Sequence, residues 1–80
     1  MKTITCIIST SKSEVVSKPG DMIVLPGESG ELGVLYNHIP MVVELVAGKI
    51  RVYNGGHVDQ EIEIGKGIAY IRAETVEIFL

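Results

Sequence analysis

An all-β domain is what this 80-residue chain predicts, and three observations predict it. Runs rich in Val, Ile and Thr return roughly every eight to ten residues. Nine glycines and three prolines punctuate the gaps between them. No stretch keeps an apolar period of three to four residues long enough to make a helix. Strands are therefore expected over residues 3–9, 14–17, 21–25, 31–35, 41–46, 49–53, 57–64, 68–72 and 75–80. Nine or ten short strands suit a β-sandwich or a flattened barrel.

Taken in order, the first strand ends in Ser9-Thr10-Ser11-Lys12-Ser13, polar enough to be a surface turn. Between Leu25 and Pro40 two prolines and three glycines surround two short apolar runs. Pro26 and Pro40 set φ and remove two ladder donors. Gly27, Gly30 and Gly33 permit positive φ or close chain approach, so the stretch reads turn, strand, turn. On this reading a valine at Gly33 is expected to destabilise the fold. The clearest hairpin joins 49–53 to 57–64 through Asn54-Gly55-Gly56, where Asn and Gly supply the positive φ of a tight turn. Along its second arm Val58, Gln60, Ile62 and Ile64 share the core face, and His57, Asp59, Glu61 and Glu63 share the wet one. In the last strand Val76, Ile78 and Leu80 oppose Thr75, Glu77 and Phe79. Phe79 thus falls on the nominally polar side, where its ring covers a sheet end or meets a partner.

Eighty residues make one domain, 1–80, burying roughly 60–65% of its unfolded surface, with a stability of about 4–12 kcal/mol. Hydrophobic residues make up 46% of the chain and charged ones 21%. That apolar surplus exceeds what a small core absorbs and points to a face that needs a partner. With seven Lys and Arg against ten Asp and Glu, a net charge of -3, the basic residues are too few and scattered to neutralise phosphates. Nucleic acid is thereby excluded as a partner. The single cysteine, Cys6, cannot form an internal disulfide and has no neighbouring cation to activate it, so it reads as a buried core thiol. After Met1-Lys2 there is no long apolar signal region, no Arg-rich transit stretch and no 18-residue apolar span, so the expectation is a chain neither exported nor membrane-spanning.

Catalytic patterns are missing. The glycines at 27, 30 and 33 carry no phosphate-loop lysine and lead into a strand. Two histidines and one cysteine show no close metal spacing. Nothing in the order of residues brings His38 or His57 beside Ser29 or Cys6 as a base beside a nucleophile. The expectation is no enzyme, no cofactor and no metal. A rival reading is a free-standing β-barrel carrier of the lipoyl or biotinyl kind, whose modified lysine sits at a hairpin tip. Its best candidate here is Lys66, in Gly65-Lys66-Gly67.

Pro26-Gly27, Gly30-Glu31-Leu32-Gly33-Val34-Leu35 and Asn37-His38-Ile39-Pro40 together resemble the signature stretch of the epsilon subunit of F-type ATP synthases. Leu45-Val46-Ala47-Gly48-Lys49-Ile50-Arg51 and Gly65-Lys66-Gly67-Ile68 are similar to two further segments of that family, in the same order. The resemblance implies a β-sandwich rotor subunit of the central stalk that catalyses nothing. It would pass c-ring rotation to the gamma subunit and the catalytic head, peripherally at the cytoplasmic face of the bacterial inner membrane. It implies Thr10, His38 and Val43 as gamma-facing, and Glu28, Ser29 and Glu31 as facing the c-ring, whose polar loops are basic in the family. His38 has a second reading, an imidazole that bonds locally to hold its turn, and Glu31 a second one as an ordinary solvated carboxylate. Family members usually continue into a C-terminal helical hairpin. Residues 1–80 contain none, so the expectation is one sandwich domain, monomeric in isolation, without the regulation that resides in those helices.

Overall fold

A computed structural model describes residues 2–10 and 15–80, and among these it contains nine strands and no helix. They are β1 (Ile4–Ser9), β2 (Val15–Gly20), β3 (Met22–Gly27), β4 (Gly30–Leu35), β5 (Met41–Leu45), β6 (Gly48–Asn54), β7 (His57–Ile64), β8 (Gly67–Ile71) and β9 (Thr75–Phe79). The expected polar turn at Ser11-Lys12-Ser13 and the expected strand start at Glu14 lie outside the described residues.

Hydrogen bonding links the strands in the order β2-β1-β9-β8-β5-β3-β6-β7, with β4 on the other edge of β3. The link between β5 and β3 is a single bridge, Gly27 to Leu45. One layer, β2-β1-β9-β8-β5, therefore folds over a second, β4-β3-β6-β7, and the all-β sandwich expectation holds. Most pairings are antiparallel; β1 and β9 run parallel, bringing Cys6 beside Val76 and Ile8 beside Ile78.

The core lies between the layers and follows from strand alternation. Ile4, Cys6 and Ile8 face inward from β1, Ile23 and Leu25 from β3, and Val34 from β4. Leu45, Ile50, Val52, Ile64, Ala69, Ile71, Val76 and Ile78 complete it, and among the described residues no polar or charged side chain is buried with them. Cys6 is 1% exposed, as expected of a core thiol, and desolvation pushes its pKa up to about 12.

Pro26 shows why the strand boundaries moved. Propensity stops β3 at Leu25, yet the strand runs through Pro26 to Gly27. On one side of Pro26 the ladder to β6 covers only Met22 to Val24, and the bridge to β5 begins at Gly27. Proline therefore sits in the gap where the sheet changes layer and no donor is required. Pro19 is tolerated in β2 for a related reason, since β2 is an edge strand. Pro26 in turn explains Gly48, because a Cβ there would stand 2.8 Å from the Pro26 Cβ. Two motifs far apart in sequence thus meet as one contact.

Three expectations are corrected. Gly33 has no positive φ, and a Cβ on it would meet only the Met22 Sδ at an ordinary 3.6 Å, so no backbone geometry demands glycine there. In the 54–57 hairpin the positive φ belongs to Gly55 and Gly56, not Asn54. Asn54 instead donates its side-chain amide to the Pro19 carbonyl and to Asp59, and Asp21 accepts from the Gly55 N–H at 2.8 Å. Finally, a bulge shifts the β6–β7 register between Val52 and Tyr53, so Val52 pairs with Gln60 and Tyr53 with Val58. The extra residue turns Val58 to the outer face, where it is exposed, while Ile62 and Ile64 keep to the inner one.

Candidate functional site

Two surface regions carry the residues singled out from the sequence. The first is the outer face of β5, β8 and β9. Alternation that sends Ala69, Ile71, Val76 and Ile78 inward sends Ile68, Tyr70 and Phe79 outward. Register places Tyr70 against Val42, and Ile68 against Phe79. Val42 is 61% exposed and Phe79 47%, yet Phe79 is not loose. Its ring meets Tyr70 edge-on, with centroids 5.6 Å apart at 78°. Arg72 pairs with Glu77 at the rim of this strip. Shallow open grooves flank Tyr70, one toward Ile68 and Phe79, the other toward Pro40 and Val42. An apolar strip with a charged rim, on a domain whose own core is closed, is the composition of a docking surface.

Thr10 and His38 stand at opposite ends of this strip. Thr10 follows Ser9, whose carbonyl accepts the Leu80 N–H at 3.1 Å, just past Phe79. His38 lies in the loop entering β5, which the Asn37 N–H ties to the Ala73 carbonyl at 2.7 Å. Asn37 takes φ 67°, a left-handed conformation that Asn tolerates, in a turn closed by the His38 N–H on the Leu35 carbonyl. The His38 ring lies with Nδ1 at 2.7 Å from the Ile39 carbonyl. A carbonyl oxygen only accepts, so Nδ1 carries the proton in that bond. Val43 is placed differently: it is half-buried against the core, and its neighbour Val42 occupies the outer face. A one-residue difference in a strand decides which face a side chain reaches.

The second region is the Glu28-Ser29 turn between β3 and β4, at the seam where the layers join. The Glu28 N–H donates to the Glu44 carbonyl and the Val46 N–H to the Pro26 carbonyl, both at 2.9 Å, which pins the turn to β5. Gly30 closes it at φ 123°. Glu28, Ser29 and Glu31 are all exposed. The Glu28 and Glu44 carboxyls meet: a hydrogen bond from one to the other, and then their mutual repulsion, raise the Glu28 pKa. Glu31 accepts from Arg51 Nη1 at 3.0 Å, and Arg51 Nε donates to Glu61 at 3.1 Å. Lys49 stands 3.9 Å from the same Glu61 carboxylate.

Among the described residues no three His, Cys, Asp or Glu side chains gather as metal ligands. No helix among them is long and apolar enough to cross a membrane. Lys66, the carrier candidate, lies on the connection from β7 to β8, which belong to different layers and do not pair. A carrier lysine needs the tip of a hairpin, so the carrier reading loses its structural basis. The sequence missed the apolar strip except at Phe79. The signal was present in Ile68 and Tyr70, but only register assembles them with Val42.

A family model for the β-sandwich domain of the ATP synthase delta/epsilon chain matches residues 3–80. The chain belongs to this family. Among its relatives, the ATP synthase epsilon chain of Granulibacter bethesdensis is 43% identical over 72 residues, 90% of this chain and 53% of that one. The ATP synthase epsilon chain of Bacillus thuringiensis is 36% identical over 78 residues, 98% of this chain and 58% of that one. The chain thus spans little more than half the length of these curated relatives. A chain in the Euglena gracilis mitochondrial ATP synthase has the same fold, with a TM-score of 0.84 at 24% identity over 99% of this chain and 51% of that one. A chain from the central stalk and c-ring of the Tetrahymena thermophila mitochondrial ATP synthase follows at TM-score 0.71 and 15% identity.

Proposed function

We propose that this chain is a central-stalk rotor subunit of a proton-translocating F-type ATP synthase, coupling c-ring rotation to the gamma subunit and the catalytic head without catalysis of its own. The observation that carries this reading is the apolar strip of Val42, Ile68, Tyr70 and Phe79, left outward by a domain whose core is complete without it. The gamma subunit is its proposed occupant, with Thr10 and His38 at the two ends of the contact and Val42, rather than Val43, on the contact face. The acidic turn at Glu28, Ser29 and Glu31 is the proposed c-ring contact. Docking two partners on adjoining surfaces of one stiff body suits transmission of torque. Close-packed interiors transmit strain, and the bridge at Gly27 locks the layers together.

The absence of catalysis is supported by chemistry. The single thiol is buried and held protonated, Glu31 and Glu61 are engaged with Arg51, and Glu77 with Arg72. The relatives named above are bacterial ATP synthase chains, which supports a peripheral place at the cytoplasmic face of the bacterial inner membrane. Binding to a gamma-containing head complex tests the reading. Tyr70→Asp and Val42→Asp put charges where desolvation is expected and should each weaken binding at least about tenfold, with the melting temperature nearly unchanged. Full-affinity binding by the folded double variant would remove this face from the interface.

A further inference from the structure

We propose that Arg51 is a positioning residue for Glu31, holding the turn carboxylate ready for a cationic side chain of the partner. This inference rests on the reading that the Glu28–Glu31 turn meets basic loops. Glu31 is a flexible side chain, 64% exposed, at the start of β4, while Arg51 is only 30% exposed on β6. The two strands are separated by β3. In the row across them Arg51 stands opposite Val24, and Val24 opposite Gly33, two residues beyond Glu31 on the same face. With no side chain at Gly33 to intervene, the guanidinium reaches diagonally across β3 to the Glu31 Oε2. Its other donor, Nε, is fixed on Glu61 from the neighbouring strand β7. Arginine's planar fork aims separate, fixed donors at the two carboxylates, where a lysine would offer one freely rotating ammonium.

Two effects oppose each other. The guanidinium partly cancels the Glu31 charge, which weakens attraction to a cation. It also fixes the Glu31 rotamer before docking, which removes an ordering cost. Glu61 decides the balance. Because Glu61 takes Nε, the guanidinium is shared between two carboxylates and only partly offsets Glu31, whose Oε1 has no partner among the described residues. Lys49, 3.9 Å from Glu61 Oε1, balances the charge of that carboxylate on its other oxygen. The turn therefore presents an oriented carboxylate with one oxygen open.

Binding of the variants to an ATP synthase stripped of this subunit, measured at low and high salt, tests the proposal. Glu31→Gln should weaken binding about two- to five-fold, the range of an exposed ion pair, and the loss should shrink at high salt. If Glu31→Gln changes nothing, the reading of the turn fails, and Arg51 has nothing to position. Given that loss, Arg51→Gln should weaken binding about as much, and the double variant no further than Glu31→Gln alone. Arg51→Lys keeps the charge and should still lose part of the affinity. Tighter binding by Arg51→Gln, or losses that add in the double variant, would overturn the positioning role while leaving the turn's role intact. Melting curves of each variant exclude unfolding as the cause.

Discussion

Gly48→Ala and Gly33→Ala are chemically identical changes that the structure separates. At position 48 the new Cβ would stand 2.8 Å from Pro26 Cβ and 3.4 Å from its Cγ, where carbon atoms normally keep about 3.5–4.0 Å. Neither partner can rotate away, since Pro26 is a buried ring of fixed φ at the corner between layers. Overpacking of this kind costs about 1–3 kcal/mol. At position 33 the Cβ meets only the Met22 Sδ at 3.6 Å, in extended backbone that any residue can adopt. Removing a glycine there limits the unfolded chain and should stabilise by about 0.4–1 kcal/mol. For a domain of this size each kcal/mol moves the melting midpoint by about 4–8 °C. Thermal and urea unfolding followed by far-ultraviolet circular dichroism should therefore show Gly48→Ala well below the parent and Gly33→Ala at or slightly above it. A Gly48→Ala midpoint equal to the parent's, or a Gly33→Ala midpoint lowered as far, would refute the assignment of the close approach to the Pro26 corner.

Alkaline stability should depend on Cys6. Its folded pKa is raised from 9.0 to about 12, so the unfolded chain releases the proton first. The contribution is complete below about pH 9 and is lost as pH rises toward 12, by about 1 kcal/mol per unit, and Cys6→Ala should flatten the stability curve over that window relative to the parent. Parallel curves would show that the thiol ionises without cost. At the acid end, the Glu28 pKa is raised by its hydrogen bond to Glu44 and by their repulsion. Whatever the shared proton contributes is present at low pH and fades as pH climbs through that raised value. In an NMR titration Glu44→Gln should lower the Glu28 midpoint, and an unmoved midpoint would mean that the carboxyls do not share a proton in solution. Asp21→Ala deletes the acceptor of the Gly55 N–H and should cost about 0.5–1.5 kcal/mol, with faster amide exchange at the hairpin tip. Unchanged exchange there would show the tip to be held by the turn alone.

The sequence by itself determined the all-β class, the main strands, the buried thiol and the family. All of these follow from local pattern: β-branched runs, period-two alternation, and a signature peptide whose residues are contiguous. Tertiary structure decided whatever depends on strands distant in the chain. It showed that Gly48 is glycine because Pro26 lies against it, whereas Gly33 has no such neighbour. A bulge reversed Val58, and the β5–β8 register put Val42 rather than Val43 on the outer face beside Tyr70. Glu31 read in sequence as a c-ring-facing or a solvated carboxylate, and its partner Arg51, twenty residues away, became visible only once β6 lay beside β3. The physical reason is common to these cases. Alternation tells which residues share a face, but which faces meet is settled by hydrogen-bond register between strands, and no local window contains it.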